Sequence, residues 1–262
     1  MRIVTLTENT SCREDLVPEH GLSLYIETGK YKILFDMGKT SAFADNAEKL
    51  NIDLAAVDFA VLSHGHYDHG GGLRRFLQIN QKAPVYVHPL AFEDHYNGRE
   101  KYIGLDPALR EEPRIIRTGS GLELAPGIRL EPGAGREAPV PADSFGLNVL
   151  RDGALIPDPF DHEQYLLIRE GEKTVCFSGC SHRGVVNIAH WFRPDVLVGG
   201  FHFVKLDPQR DREYLDAAAE KLLAFGGRYL TGHCTGEGQY AYLKTRMGDA
   251  LDALRTGSEF EI

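Results

Sequence analysis

The chain has 262 residues, with 29 Lys and Arg against 38 Asp and Glu for a formal net charge of −9. That balance disfavours nucleic acid as the main partner, because neutralising phosphates takes a basic face. Hydrophobic residues at 42% and charged residues at 26% argue against a disordered chain, and no apolar run approaches the roughly 18 residues of a membrane span. The start, Met1 to Thr7, alternates like a strand and lacks the apolar stretch of a signal peptide. Four cysteines are too few for a disulfide scaffold at this length. Two of them, Cys180 and Cys234, stand beside histidines in Gly-rich turns, which points to metal chemistry or reactive thiols in a reducing cytosol.

The first third reads as strands over 2–7, 22–28 and 31–36, a helix over 41–50 and a short apolar strand over 58–63. A helix over 72–79 and a strand over 84–88 follow. Residues 89–146 hold several Gly and Pro and few apolar runs. They read as an irregular insertion with short strands at 114–117, 122–124 and 128–131, lying over a site. Strands 164–169 and 173–178 flank a hairpin turn at Glu170-Gly171-Glu172. Then come a helix over 184–192, a strand over 195–199, a helix over 211–225, a strand over 228–231 and a helix over 237–247. No linker or repeat divides the chain, so it reads as one domain over 1–262 with two sheet-and-helix halves.

The segment Ser63-His64-Gly65-His66-Tyr67-Asp68-His69-Gly70 carries the strongest chemical signal. At this chain's own His and Asp frequencies, a chance His-x-His-x-Asp-His is expected on the order of once per thousand such chains. Imidazole nitrogen and carboxylate oxygen are good ligands for Zn²⁺, Mn²⁺ or Fe²⁺. The alternate residues His64 and His66 can grip one ion from one side of an extended segment. Asp68 and His69, one turn on, can grip a second. Three imidazoles and a carboxylate at the end of a buried strand are costly without a cation.

This cluster after an apolar strand resembles the metallo-β-lactamase superfamily. Ile33-Leu34-Phe35-Asp36-Met37-Gly38 resembles that superfamily's strand ending in Asp and Gly, where the Asp braces a metal-ligating His. Five segments resemble one subgroup, the metal-dependent hydrolases named for dihydropterin-ribofuranosyl-aminobenzene-phosphate synthase. They are Glu19-His20-Gly21-Leu22-Ser23, Leu62 to His69, Ser178-Gly179-Cys180-Ser181-His182, Gly199-Gly200-Phe201-His202 and Thr231-Gly232-His233-Cys234-Thr235-Gly236. The resemblance implies an α/β (α+β) fold, the αβ/βα four-layer sandwich: two mixed β-sheets packed together, helices outside, metals at one edge.

It also implies the rest of the site. His233 matches the superfamily's final ligand and goes with Asp68 and His69. Cys180 stands where most members carry a bridging Asp. As a thiolate it could bind the second metal or bridge both, which leaves metal identity open. For the third ligand of the His64/His66 ion, His182 is the first choice, and His162 and Asp161 are rivals. His202, after strand 195–199, falls at the same sheet edge and is a candidate for binding substrate or assisting catalysis. His20 is a candidate pocket residue, His88 could equally be structural, and His95 and His190 carry no case.

The function these residues imply is a metal-dependent hydrolase. Two divalent ions, zinc before manganese or iron, generate a hydroxide that attacks an ester, phosphoester or related bond of a small molecule. Asp68 orients the nucleophile while ligating, and a second histidine, His202 or His182, protonates the leaving group. The alternatives on the same fold are an iron-dependent redox enzyme and a ligand-binding protein. The sequence leaves the substrate and the oligomeric state open.

Overall fold

Burial on both faces of the strands dictates the layering. In β1 (Arg2–Thr7), Val4 and Leu6 pack under helices while Ile3 faces a second sheet. The same two-sided pattern recurs in β2 (Ser23–Glu27), β3 (Lys32–Phe35) and, after helix α1 (Ala42–Lys49), in β4 (Phe59–Val61). Strands buried on both sides read as near-continuous apolar runs, which is why they are legible in sequence. The computed structural model describes residues 1–262.

Two short helices follow β4, α2 (Tyr67–Gly70) and α3 (Leu73–Ile79), and then β5 (Val85–Val87). The next stretch holds β6 (Asp94–Asn97), β7 (Lys101–Tyr102), β8 (Ile115–Arg117), β9 (Leu122–Ala125) and β10 (Ile128–Pro132). After it come β11 (Leu147–Arg151), β12 (Ala154–Pro157), β13 (Gln164–Glu170), β14 (Lys173–Phe177), α4 (Val185–Phe192) and β15 (Val196–Val198). The chain continues through α5 (Arg212–Phe225), β16 (Arg228–Thr231), α6 (Glu237–Met247), β17 (Leu251–Ala253) and β18 (Glu259–Glu261).

The first sheet runs β18-β1-β2-β3-β4-β5-β8 and the second β17-β16-β15-β14-β13-β10-β9. Each is mixed. Strands β3, β4, β5 and β8 are parallel, as are β14, β15, β16 and β17, and the remaining pairs are antiparallel. The inner faces meet through Phe35, Val61, Leu166, Phe177, Val198 and their neighbours. Helices α1 and α3 cover the first sheet's outer face, and α4, α5 and α6 cover the second's. This is the four-layer αβ/βα sandwich. No helix is long and apolar enough to cross a membrane.

Residues 89–146 are more regular than a loop-rich insertion. Strands β8 and β9 close one edge of each large sheet, and β10 lies between β9 and β13. Only β6 and β7 stand apart, joining β11 and β12 in a small third sheet. Strands β11, β12, β17 and β18 have no counterpart in the sequence reading. They are three to five residues long and half-exposed, too short for periodicity to register.

The rings of Phe35 and Phe177 meet across the two sheets at 5.7 Å, both fully buried. Phe177→Ala should therefore cost about 3–5 kcal/mol by loss of burial and cavity formation. Urea unfolding of the metal-free protein measures it, and a loss below about 1 kcal/mol would mean this contact does not hold the layers together.

Candidate metal centre

The parallel halves of both sheets send their carboxyl ends to one edge, where α/β proteins gather ligands. Strand β3 delivers Asp36, and β4 runs through Ser63, His64 and His66 into α2 with Asp68 and His69. From the second sheet, β14 delivers Cys180 and His182, β15 delivers His202, and β16 delivers His233. The backbone at these turns is strained. Of nine non-glycine residues with positive φ, Asp36 (58°), Ser181 (58°), His202 (57°) and His233 (51°) all lie here. Gly179, at φ 64°, lets the turn close on Ser63, whose side chain occupies the space a β-carbon would need.

Hydrogen bonds fix where the imidazole protons sit. Ser63 donates to Asp36 from both its backbone N–H and its hydroxyl, each at 2.7 Å. His69 Nδ1 lies 2.6 Å from Asp36 Oδ2. A carboxylate only accepts, so His69 carries its proton on Nδ1 and its Nε2 is bare. The Ser63 hydroxyl proton is already committed, so its oxygen accepts from His64 Nδ1 at 2.8 Å, and His64 Nε2 is bare as well. Asn9 donates its amide to the His233 carbonyl and turns its oxygen to His233 Nδ1 at 3.0 Å. That makes a third bare Nε2.

The bare nitrogens converge. His64 Nε2 lies 3.2 Å from His182 Nε2. His69 Nε2 lies 3.1 Å from His233 Nε2 and 3.0 Å from Cys180 Sγ. Asp68 Oδ2 lies 3.4 Å from His233 Nε2 and 3.3 Å from His20 Nε2. The bare nitrogens of His69 and His233 face each other with no proton between them, and a cation is what satisfies such a pair. Two donor sets suit one ion each, His64/His66/His182 and Asp68/His69/His233, with Cys180 grouped with His64 and His69. His20, exposed, joins Asp68 and His233 from the rim.

Electrostatics in the metal-free protein fits this arrangement. Burial, reinforced by neighbouring imidazoles, holds His64, His66 and His182 well below the ordinary 6.5, so all three are neutral ligands at pH 7. Burial opposes ionisation of Asp68, but the contact from His20, first among the surrounding imidazoles, holds its carboxyl well below 3.8. Burial pushes the Cys180 thiol up, so a metal taking this sulfur must displace a proton.

The three candidates for the third position beside His64 and His66 lie in different surroundings. His182 faces His64. His162 turns away, because its Nδ1 accepts the Gly65 N–H at 2.9 Å and its Nε2 faces Asp158 at 3.2 Å. Asp161 pairs with Arg151 at 3.3 Å and Arg183 at 3.4 Å, outside the donor sets. His202 sits half-buried on the cavity wall, its ring 4.3 Å from that of His182 and both its nitrogens without a protein partner. His88 accepts the Leu90 N–H at 3.2 Å and caps a short helical turn.

Several site residues have no signal in the sequence. Buried Glu163 accepts the backbone N–H groups of His182 at 2.7 Å and Arg183 at 3.1 Å, fixing the turn that carries His182. Glu8 accepts the His233 N–H at 2.6 Å. His95, which carries no case in sequence, lies buried with Asp158 and His162 directly behind His66. Each of these contacts spans a long stretch of chain, and no local pattern marks it.

The model of the metallo-beta-lactamase superfamily matches residues 16–228, and the chain belongs to that superfamily. Among solved structures it is similar to Tm1679, a metal-dependent hydrolase of the beta-lactamase superfamily. That match has 30% identity, covers 100% of this chain and 99% of the other, and has a TM-score of 0.84. It is also similar to the 7,8-dihydropterin-6-methyl-4-(beta-D-ribofuranosyl)-aminobenzene-5'-phosphate synthase of Methanocaldococcus jannaschii, with 29% identity over 90% of this chain and 88% of the relative. Zn²⁺-bound PqqB from Methylobacterium extorquens shares the fold at 13% identity, covering 100% of both chains with a TM-score of 0.61.

The buried histidines set a pH dependence. Burial holds His64, His66, His162 and His182 below 6.5 in the folded metal-free protein, so below that pH the unfolded chain binds protons that the folded one does not. Each group then removes up to about 1.4 kcal/mol of stability per pH unit, from the unfolded value down to its folded one. Two groups work the other way. Burial lowers His69 but Asp36 raises it further, and burial raises Glu163, so both lose stability as pH rises through their folded values. Burial also lowers His88, to about 4, and Asp68 and Asp158 are held low as well, so the lowered groups dominate and chelator-treated protein should become less stable to urea as pH falls from 6.5. Constant or rising stability on that side would contradict the assignment of neutral imidazoles.

Proposed function

We propose that the chain is a metal-dependent hydrolase that holds two divalent ions, zinc by preference, and cleaves an ester, phosphoester or related bond of a small molecule. The observation that carries the proposal is the convergence of bare imidazole nitrogens, the Asp68 carboxylate and the Cys180 sulfur at one sheet edge. His64, His66 and His182 would hold one ion, and Asp68, His69 and His233 the other. Cys180 serves either set, and its soft sulfur beside imidazoles favours zinc over manganese. Divalent ions held there lower the pKa of a coordinated water toward neutrality and polarise the oxygen of the scissile bond.

The chain's own groups do the remaining work. Asp68 lines a cavity of about 220 Å³ and orients the attacking water through its carboxylate. His202, with both ring nitrogens free, hands a proton to the leaving atom. His20, Lys101 and Lys205 line the same cavity, and the lysines offset negative charge that builds up on the substrate. Residues 89–146 supply part of the wall through Asn97, Lys101 and Ile103, within what we take to be a single domain over 1–262.

Within the superfamily, the reading extends to the subgroup named for the dihydropterin-ribofuranosyl-aminobenzene-phosphate synthase. Its support is the 29% identity over nine-tenths of the chain. Four free thiols support a reducing, cytoplasmic compartment.

The test is a panel of esters, lactones, amides and phosphoesters with Zn²⁺, Mn²⁺ and Fe²⁺. His66→Ala and Asp68→Ala should lower any turnover by a factor of roughly 10³ or more. His202→Ala should lower it by about 10²–10³. If no member of the panel is cleaved above the His66→Ala background with any of the three metals, the hydrolase reading is wrong.

A further inference from the structure

Behind His66 lies a buried polar cluster that the reaction does not use. His95, Asp158 and His162 are each buried, and their donor atoms and one of His66 all lie within 4.8 Å of one another. Asp158 is the hub. Its Oδ2 lies 2.9 Å from His95 Nδ1 and 3.2 Å from His162 Nε2, and its Oδ1 accepts the Phe160 N–H at 2.7 Å. The two histidines cannot be exchanged. His162 Nδ1 accepts the Gly65 N–H, so its proton sits on Nε2 and goes to Asp158. His95 gives Asp158 its Nδ1 proton, which leaves its Nε2 bare.

That bare nitrogen is buried and has no partner, and His66 Nε2 is likewise buried without a partner. The two rings stand edge to face, with centroids 5.4 Å apart. His66 also lines the open cavity and groups there with His64 and His182. An imidazole has two nitrogens on different edges, and His66 has a demand on each.

We propose that Asp158, acting through His95, is a positioning carboxylate for His66. With a metal on its cavity-facing Nδ1, His66 would carry its proton on Nε2 and turn it to the unpartnered His95 Nε2, whose Nδ1–H donates to Asp158. The inference rests on the reading of His66 as a metal ligand. The relay locks the ring's rotation and tautomer and makes its free nitrogen a stronger donor. His162 holds Asp158 from the other side and ties it to the backbone of Gly65, between the two cluster histidines. The cluster is not itself an ion site: with its proton on Nε2, His162 has no lone pair to offer there.

Zinc affinity, measured by competition with a chromophoric chelator, tests the relay without reference to turnover. His95→Leu and Asp158→Asn should weaken the tighter zinc by 10–100-fold with no change in the number of ions bound. His95→Gln, whose amide can accept from His66 and donate to Asp158, should stay within about threefold of the parent protein. Long-range ¹⁵N–¹H spectra of the zinc-loaded parent protein should show the proton on Nδ1 in His95 and on Nε2 in His66 and His162. This reading needs no variant to fold. Unchanged affinity in His95→Leu, equal losses in the Leu and Gln variants, or the reverse tautomer at His95 would each overturn the relay. Loss of one whole ion in His95→Leu would overturn it in favour of a metal site in the cluster. His66→Ala is the control: if it keeps full zinc affinity, the metal reading itself has failed, whereas loss there with none in His95→Leu refutes the relay alone.

Discussion

One buried carboxylate organises the site. Asp36 accepts from Ser63 twice and from His69 once, and those bonds decide where two imidazoles keep their protons. His69 is fixed directly, and His64 is fixed through the Ser63 hydroxyl. Both turn a lone pair toward one space, where His182, His233 and Cys180 meet them. Without Asp36 either ring could take the other tautomer and satisfy its neighbour by hydrogen bonding, and the demand for a cation would vanish. The interaction is local in space but joins β3 to the end of β4, so it depends on the two strands being parallel neighbours with Phe35 level with Val61.

The fold supplies that adjacency twice. Parallel β14, β15 and β16 bring Cys180, His202 and His233 to the edge that β3 and β4 bring from the opposite sheet. The inner apolar layer, with Phe35 and Phe177 in contact, sets how closely the two edges approach. Strain is concentrated at this edge: four of the non-glycine residues with positive φ are in these turns, and Gly179 and Gly200 pack where a β-carbon would strike Ser63 or Cys234. Such geometry persists only where surrounding hydrogen bonds over-determine it. Glu163 under the His182 turn and Glu8 under the His233 turn are two such anchors.

How much of this was legible in the sequence depended on chain separation. His64, His66, Asp68 and His69 fall within six residues, so their spacing alone announced metal chemistry. His182, Cys180 and His233 were reached only through resemblance to the superfamily, because nothing local separates a ligand histidine from a capping one. The sequence reading put His182 ahead of His162, but the hydrogen bond from Gly65 that occupies His162, 97 residues away, is one that no pattern records. His95 is the clearest omission: it falls in a stretch that reads as irregular, and its meaning comes from Asp158, 63 residues on. Most strands of the two large sheets showed because burial on both faces makes apolar runs, whereas the short edge strands β17 and β18 did not. The small third sheet did not, because its strands are short and largely exposed.

The central claim is that this edge is built for ions rather than for hydrogen bonds among histidines. Anomalous diffraction at the zinc edge, on crystals of the protein purified with zinc present, addresses it most directly. The account predicts one peak among His64, His66 and His182 and a second among Asp68, His69 and His233. A well-ordered edge with no peak in either place, its imidazoles turned to bond one another, would contradict it.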